Sequence, residues 1–359
     1  MSLQILGLLY HQITSRTRPA PPGEFDLAAI RALAETHEES GFDGVLISQS
    51  ATMPDPLIIA SHVAAITTRL KFLVAHRPGF IAPTLAARMF ATLDQLSGGR
   101  VTAHIISGAA DAEMLRDGDS LTKEKRYQRS REYVTIMRRM WTSGQPFDFD
   151  GDFYRLRQAF SDVKPTRPSG PPVCWAGASP LAFETAGECA DIYAMVGDTP
   201  DTARDYMARA KAQAARHGRS LDFTITLCVI LGETEAEAWA KARDLLAAVE
   251  AQNVARTGAP PPTPASAAFQ RMLEHSQQGD IVGKNLWMAL NRVSGGVGNN
   301  TTVVGTAEQI IDTLMIYHDL GFTHFLLRGF EPLADARAFG RDLIPGFRRA
   351  AAQRLERRA

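Results

Sequence analysis

A chain of 359 residues in which 39 lysines and arginines face 39 aspartates and glutamates carries no net formal charge. No global field therefore draws it to nucleic acid or to an anionic membrane. A hydrophobic share of 45% with 22% charged residues describes a globular protein, and the longest apolar stretches, such as 57–66 with its His62, are too short to span a bilayer.

One unit repeats along the chain: a short apolar run, a polar tip, then an amphipathic helical pattern. Residues 3–10 give the first run, and 25–40 follow as a helix whose Leu27, Ile30, Leu33 and Ala34 share a stripe that Gly41 can end. Runs over 43–48, 71–77 and 101–108 are each followed by a helix, over 56–67, 83–96 and 125–141. Pro83 suits the first turn of its helix. Residues 144–172 break the period with Pro146, Pro165, Pro168, Pro171 and Pro172 and the aromatics Phe147, Phe149, Phe153 and Tyr154. They read as a hairpin-like excursion packed by those rings. Runs over 173–179, 191–197 and 223–230 resume the pattern.

A long interruption over about 233–303 starts with an alanine-rich helix (235–252), passes Pro260-Pro261-Pro262 and Pro264, and ends in Ser294-Gly295-Gly296-Val297-Gly298-Asn299-Asn300. Insertions of this length serve as lids or linkers, and the helical periodicity predicts a partly ordered cap. The eighth run covers 323–329. Eight strands alternating with helices predict a single α/β domain over 1–359, a (β/α)8 TIM barrel with its largest insertion between strands 7 and 8.

The three cysteines, Cys174, Cys189 and Cys228, show no metal-ligand spacing and sit in apolar stretches, as buried free thiols of a reducing compartment do. The amino terminus lacks a signal-peptide pattern, so a cytoplasmic protein is expected.

In a barrel of parallel strands, chemistry gathers at their carboxyl ends. These ends offer Tyr10-His11, Ser48-Gln49-Ser50, Ala75-His76-Arg77, Ser107-Gly108, Ala176-Gly177-Ala178-Ser179 and Arg328-Gly329-Phe330. No carboxylate cluster is among them, which disfavours metal-assisted hydrolysis and glycoside chemistry. No metal site is expected, and no nucleophile elbow, P-loop or HExxH occurs. Small residues such as Ala75, Ser107, Gly108, Ala176 and Gly177 let a flat ring approach the backbone. Ser179 near one helix start, and Arg126 with Tyr127 at the opening of another, could hold an anionic tail. A strand–helix turn with Ser179 as its N-cap accounts for the same residues equally well.

At these positions the chain resembles the flavin-dependent monooxygenases of the bacterial luciferase-like superfamily, closest to the branch of alkanesulfonate, dimethylsulfone and pyrimidine monooxygenases. The resemblance rests on Pro83-Thr84-Leu85-Ala86-Ala87-Arg88 through Thr92-Leu93-Asp94-Gln95-Leu96-Ser97-Gly98-Gly99-Arg100. It extends to Arg126-Tyr127, Glu132-Tyr133, Gly151-Asp152-Phe153-Tyr154, Ala176-Gly177-Ala178-Ser179 and Asn285-Leu286-Trp287. It implies reduced FMN delivered by a separate NAD(P)H-dependent flavin reductase, reaction with oxygen through a peroxyflavin, and oxygenation of a small substrate. By the resemblance, flavin contacts fall on Gln49, Ser50, His104, Glu113, Arg126, Tyr127 and Ser179, and the small residues Ala75, Ser107 and Gly177 complete the set of cofactor candidates.

The resemblance departs on the substrate side. Thr226 and Cys228 stand where an arginine and a histidine bind sulfonate, and Ser294 replaces a second such arginine. Met53 replaces a cysteine and Phe330 a tyrosine. Without those donors a buried anion would lack partners. Met53, Thr226, Cys228, Arg328 and Phe330 are therefore the candidate substrate residues, and a neutral molecule such as a sulfone fits them better than a simple alkanesulfonate. His11, then His76, are the candidates for proton transfer. Two rival readings are a reductase using FMN or a deazaflavin to move hydride, and a non-catalytic flavin-binding protein. Apolar residues around the helices of 56–67 and 83–96, together with the resemblance, predict a homodimer or homotetramer.

Overall fold

The computed structural model describes residues 3–15, 25–256, 266–295 and 298–357. Pro260, Pro261, Pro262, Pro264, Gly296 and Val297, assigned to the cap from sequence, lie outside them. Parallel strands occur where the eight apolar runs predict them. They are β1 (Gln4–Leu9), β2 (Gly44–Ile47), β3 (Lys71–His76), β4 (Val101–Ile105), β5 (Val173–Ala176), β6 (Ile192–Val196), β7 (Asp222–Leu231) and β8 (His324–Arg328). Two runs end earlier than their composition indicates. Gly108 and Gly177 take φ of 82° and 141°, outside strand geometry, and turn the chain after β4 and β5. Hydrogen bonding follows the cyclic order β7-β8-β1-β2-β3-β4-β5-β6 and returns to β7, so the fold is a (β/α)8 barrel.

The chain divides into two compact units, residues 45–194 with 208–222, and residues 1–44 with 195–207 and 223–359. In the first, the helices Pro56–Ile66, Pro83–Ser97 and Lys123–Thr142 follow β2, β3 and β4. Asp55 starts one by accepting from the backbone of Leu57 and Ile58 at 2.9 and 3.0 Å. Thr122 caps another through Lys125 N–H, so that helix begins two residues before the sequence reading placed it.

Much of the family-like signature in this unit is architectural. Arg100 spends its guanidinium on the carbonyls of Ala64, Thr67, Leu70 and Ser97 and lies 5.0 Å over the Phe72 ring. Buried Asp94 accepts from Thr166 N–H and Oγ1 at 2.7 and 2.6 Å. Glu132 accepts from the backbone N–H groups of Asp152, Phe153 and Tyr154 at 2.8, 3.0 and 3.2 Å. It thereby ties down the antiparallel hairpin of Phe147–Asp150 and Arg155–Ala159, the excursion that the aromatics predict.

In the second unit, β7 runs for 10 residues, and its register with β8 covers Thr224–Cys228. From Cys228 to Leu231 it also pairs, in parallel, with an insertion strand, Thr302–Gly305. That strand continues antiparallel to Leu286–Trp287 and then to Ile281–Val282. These short strands were not foreseen. The helix Glu235–Arg256 packs Ala238, Ala242, Leu245 and Val249 against Ile230, Trp287, Leu290 and Val304, so the insertion has an apolar core of its own.

Candidate functional site

Every flavin-contact candidate falls in the unit of β2–β6, and most are joined by hydrogen bonds. Arg77, buried just past β3, donates to Glu113 Oε1 at 2.7 Å and to the Gln49 carbonyl at 3.4 Å. Glu113 Oε1 also accepts from Ala51 N–H at 3.2 Å. One guanidinium therefore ties the loop after β2 to the short helix Asp111–Arg116. Sequence reading singled out Gln49 and Glu113 but not the arginine between them. Its signal was its place at a strand end.

Ser50 caps its own loop: its carbonyl accepts from Met53 N–H at 3.2 Å, and its hydroxyl lies 3.3 Å from Thr52 Oγ1. The Met53 sulfur accepts from Ser48 Oγ at 3.7 Å. Ala75 is buried in register with His104, which in turn pairs with Cys174.

His76 is a buried, neutral imidazole. Its Nε2 lies 2.7 Å from the Tyr133 hydroxyl, and Phe90 meets its ring edge-on at 5.4 Å. Burial pulls its pKa down to about 4. His104 is likewise brought down to about 4 by burial, against an opposing backbone hydrogen bond to Cys174. Buried side-chain atoms without a hydrogen-bond partner at the strand ends include Gln49 Oε1 and His104 Nδ1, with Nε and Nη1 of Arg77 beside them. Buried polar atoms are usually satisfied, so each exception asks for a bonding group from a ligand or a water.

Arg126 does not have the setting expected of it. Because the helix starts at Lys123, its backbone N–H already bonds to the Thr122 carbonyl at 2.9 Å. Its side chain is buried. Nε donates to the Ser107 carbonyl (2.9 Å), Nη1 to that of Leu121 (2.6 Å), and Nη2 to Asp111 Oδ1 (2.8 Å) and the Gly108 carbonyl. All three nitrogens are thus engaged in shaping the loop after β4. The Ser107 hydroxyl, in turn, meets that of Ser130 at 3.1 Å.

Tyr127, Gly177 and Ser179 form a cradle. Burial raises the Tyr127 phenol pKa, opposed by a hydrogen bond to the Ser179 side chain and by the neighbouring Arg126 charge. A Cβ on Gly177 would come within 2.7 Å of Ala182 Cβ and 2.9 Å of Tyr127 Oη, and its φ of 141° itself favours glycine. Ser179 is the N-cap of the helix Pro180–Cys189 and accepts from Ala182 N–H at 3.2 Å. The cap and the anion-site readings of this serine share one geometry.

The substrate candidates other than Met53 lie in the other unit. Thr226 and Cys228 sit on β7, with Arg328 in register with Cys228 at the end of β8. The Asn299 carbonyl accepts from both Cys228 Sγ (3.3 Å) and Arg328 Nη2, while its amide donates to the Thr226 carbonyl at 2.8 Å. The sequence reading placed Asn299 at the end of the insertion but gave it no role. Phe330 packs beside the insertion core, and its N–H donates to Asp335 Oδ2 at 2.7 Å. Arg292 is an exposed partner of Asp280 and takes no part in this group. His11, half-buried after β1, accepts from Asp26 N–H through its carbonyl at 3.1 Å.

Asp198, after β6, was also missed. It is fully buried and receives Arg271 Nε at 3.0 Å and His275 Nδ1 at 2.9 Å, both from the insertion helix Ala267–Gln278. Among the described residues no group of three His, Cys, Asp or Glu is placed to hold a metal ion, and no helix is long and apolar enough to cross a membrane.

A family model described as luciferase-like monooxygenase matches residues 7–324. Among solved structures, EDTA monooxygenase (EmoA) from Chelativorans sp. BNC1 superposes with a TM-score of 0.77 at 18% identity, over 98% of this chain and 94% of that one. DmoA from Hyphomicrobium sulfonivorans gives 0.76 at 21%, over 98% and 88%. The coenzyme F420 dependent tetrahydromethanopterin reductase from Methanopyrus kandleri gives 0.69 at 18%, over 96% and 99%. At these identities the superpositions establish the fold.

Proposed function

Given that the chain belongs to the luciferase-like monooxygenase family, we propose that it is the oxygenating component of a two-component system. It takes reduced FMN from a separate NAD(P)H-dependent flavin reductase and oxygenates a small organic, organosulfur-class substrate. The observation that carries this reading is the pair of buried, unpartnered atoms, Gln49 Oε1 and His104 Nδ1, at the strand ends of one unit. An isoalloxazine edge offers the N–H and carbonyl groups such atoms require. Bound reduced FMN supplies the activation of oxygen; everything else falls to the protein.

In this reading Ala75, Ser107 and Gly177 let the ring approach the backbone. Arg77 and Glu113 hold the Gln49–Ser50 loop in place. Tyr127 and Ser179 donate hydroxyls to the phosphate or ribityl chain at the start of the helix Pro180–Cys189, while Arg126 braces the adjoining loop through its carbonyls. Proton transfer is assigned to His11. His76, neutral near pH 7 and bonded to Tyr133, is the second candidate. Met53, Thr226, Cys228, Arg328 and Phe330 contact the substrate, and the insertion between β7 and β8 acts as a cap that excludes water. Ile58 (69% exposed), Leu85 (43%) and Leu96 (70%) form the apolar surface proposed for homodimer or homotetramer assembly.

The test combines FMN titration with turnover. Purified protein, a flavin reductase, NAD(P)H and labelled oxygen should place one labelled atom in an organosulfur product. Hydride transfer from a reduced deazaflavin without oxygen consumption would favour the reductase reading, which the F420-dependent neighbour brings to attention. Tight FMN binding without turnover of any compound would favour a carrier.

A further inference from the structure

Among the described residues, Arg328 has no carboxylate as an ion-pair partner. It is half-buried at the end of β8, donating from Nη1 to the Tyr10 hydroxyl at 3.3 Å and from Nη2 to the Asn299 carbonyl. Among the described residues no aspartate or glutamate oxygen lies within the 4.0 Å of an ion pair. Its neighbour in register, Cys228, is fully buried, and its Sγ donates to the same Asn299 carbonyl. Groups from three different segments thus hold one charged side chain. A half-buried guanidinium loses hydration that neutral acceptors replace only in part, and its planar fork is suited to an oxyanion.

The other arginines of the candidate sites and the insertion differ. Arg77 has Glu113, Arg126 has Asp111, Arg271 has Asp198 and Arg292 has Asp280. Among the described residues, Arg328 differs from these four in having no carboxylate partner.

We propose that Arg328 is the receptor for a singly charged oxyanion, a carboxylate or a sulfonate, carried by the substrate, with Tyr10, Cys228 and Asn299 fixing the plane of its guanidinium. The word substrate rests on the monooxygenase reading, whereas the anion site does not. The sequence argument for a neutral substrate counted the donors missing at Thr226, Cys228 and Ser294. The donor that replaces them stands on the adjacent strand.

The test is a binding titration of the purified protein with 1-propanesulfonate, butanoate and the uncharged isostere methyl propyl sulfone, by calorimetry and thermal shift. Both anions, or one of them, should bind, and the sulfone should bind about tenfold more weakly or worse. In Arg328→Met, anion affinity should fall about ten- to a hundredfold with sulfone affinity unchanged, and Arg328→Lys should fall between. Should Arg328→Met not fold, the wild-type comparison of anion with sulfone decides alone. Equal binding of sulfone and anions, or anion binding that survives in folded Arg328→Met, overturns the proposal. So does an ultraviolet thiolate signal that disappears in Cys228→Ser, because the protein would then supply the counter-charge itself. Failure of the monooxygenase reading would show separately, as absence of FMN binding with the anion titration intact.

Discussion

Asp198 and Arg271 are joined by a 3.0 Å ion pair whose carboxylate is wholly buried, and the other oxygen of Asp198 receives His275. Both partners belong to the helix Ala267–Gln278, and Tyr317 donates to the Asp198 carbonyl at 2.6 Å from a separate helix. One acidic side chain therefore docks this part of the insertion. Asp198→Ala leaves a guanidinium and an imidazole without their acceptor and should cost about 3 kcal/mol. Hydrogen exchange should quicken over 267–278 while the backbone of β3 and β4 stays protected.

Three histidines, His37, His76 and His104, each have a pKa lowered to about 4 by burial of the ring, from an ordinary 6.5. The unfolded chain takes up these protons first as pH falls. Stability from this source is complete above the unfolded value and drains as pH drops from 6.5 toward 4. Urea midpoints should be flat from pH 8 to 7 and fall through pH 6 and 5. The His76 ring resonances should not titrate between pH 8 and 5.

Arg77→Met should weaken FMN binding about tenfold, since Glu113 and the Gln49 carbonyl lose their common donor. Arg77→Lys should recover little, because a single ammonium cannot span the two acceptors. Quenching of FMN fluorescence reads both variants. An unchanged dissociation constant would detach Arg77 from the cofactor.

Gly177→Ala should cost about 2 kcal/mol, through a φ that alanine resists and the close approach of Ala182 and Tyr127. Flavin affinity should fall with it, as Tyr127 is displaced from Ser179. Thermal melts with and without FMN separate the two losses.

Arg100→Met, by contrast, should destabilise by about 3 kcal/mol without altering flavin affinity in the protein that remains folded. Its acceptors include four carbonyls and a hydroxyl of the surrounding framework. The strongest family-like stretch of the sequence thus marks architecture.

That contrast explains what the sequence made legible. Strands β1–β8 stand out because runs of four or more apolar residues alternate with helical periodicity, a pattern set by burial against neighbours. The insertion strands Ile281–Val282 and Leu286–Trp287 have two residues each, too few for any period, and exist through their pairing with Thr302–Gly305. The cofactor-side candidates lay at strand ends, where topology alone directed attention. Arg77 stood in plain view there, yet only its distance to Glu113 gives it a role. Asn299 acts through its main-chain carbonyl toward Arg328 and Cys228, which no side-chain pattern reveals. Arg126 lies inside its helix instead of at the opening because Thr122 caps that helix two residues earlier than the periodicity indicates.

At Cys228 two ladders meet: its row continues to Arg328 on one edge of β7 and to Thr302 on the other. The insertion is thus woven into the same sheet that carries the proposed anion receptor. Grafting a relative's lid onto this scaffold would succeed only if the donor brought its own ribbon in matching alignment; a one-residue slip would turn the thiol away from the guanidinium. Specificity here is inherited in a block, and attempts to retune it loop by loop should fail where a swap spanning 222 to 305 succeeds.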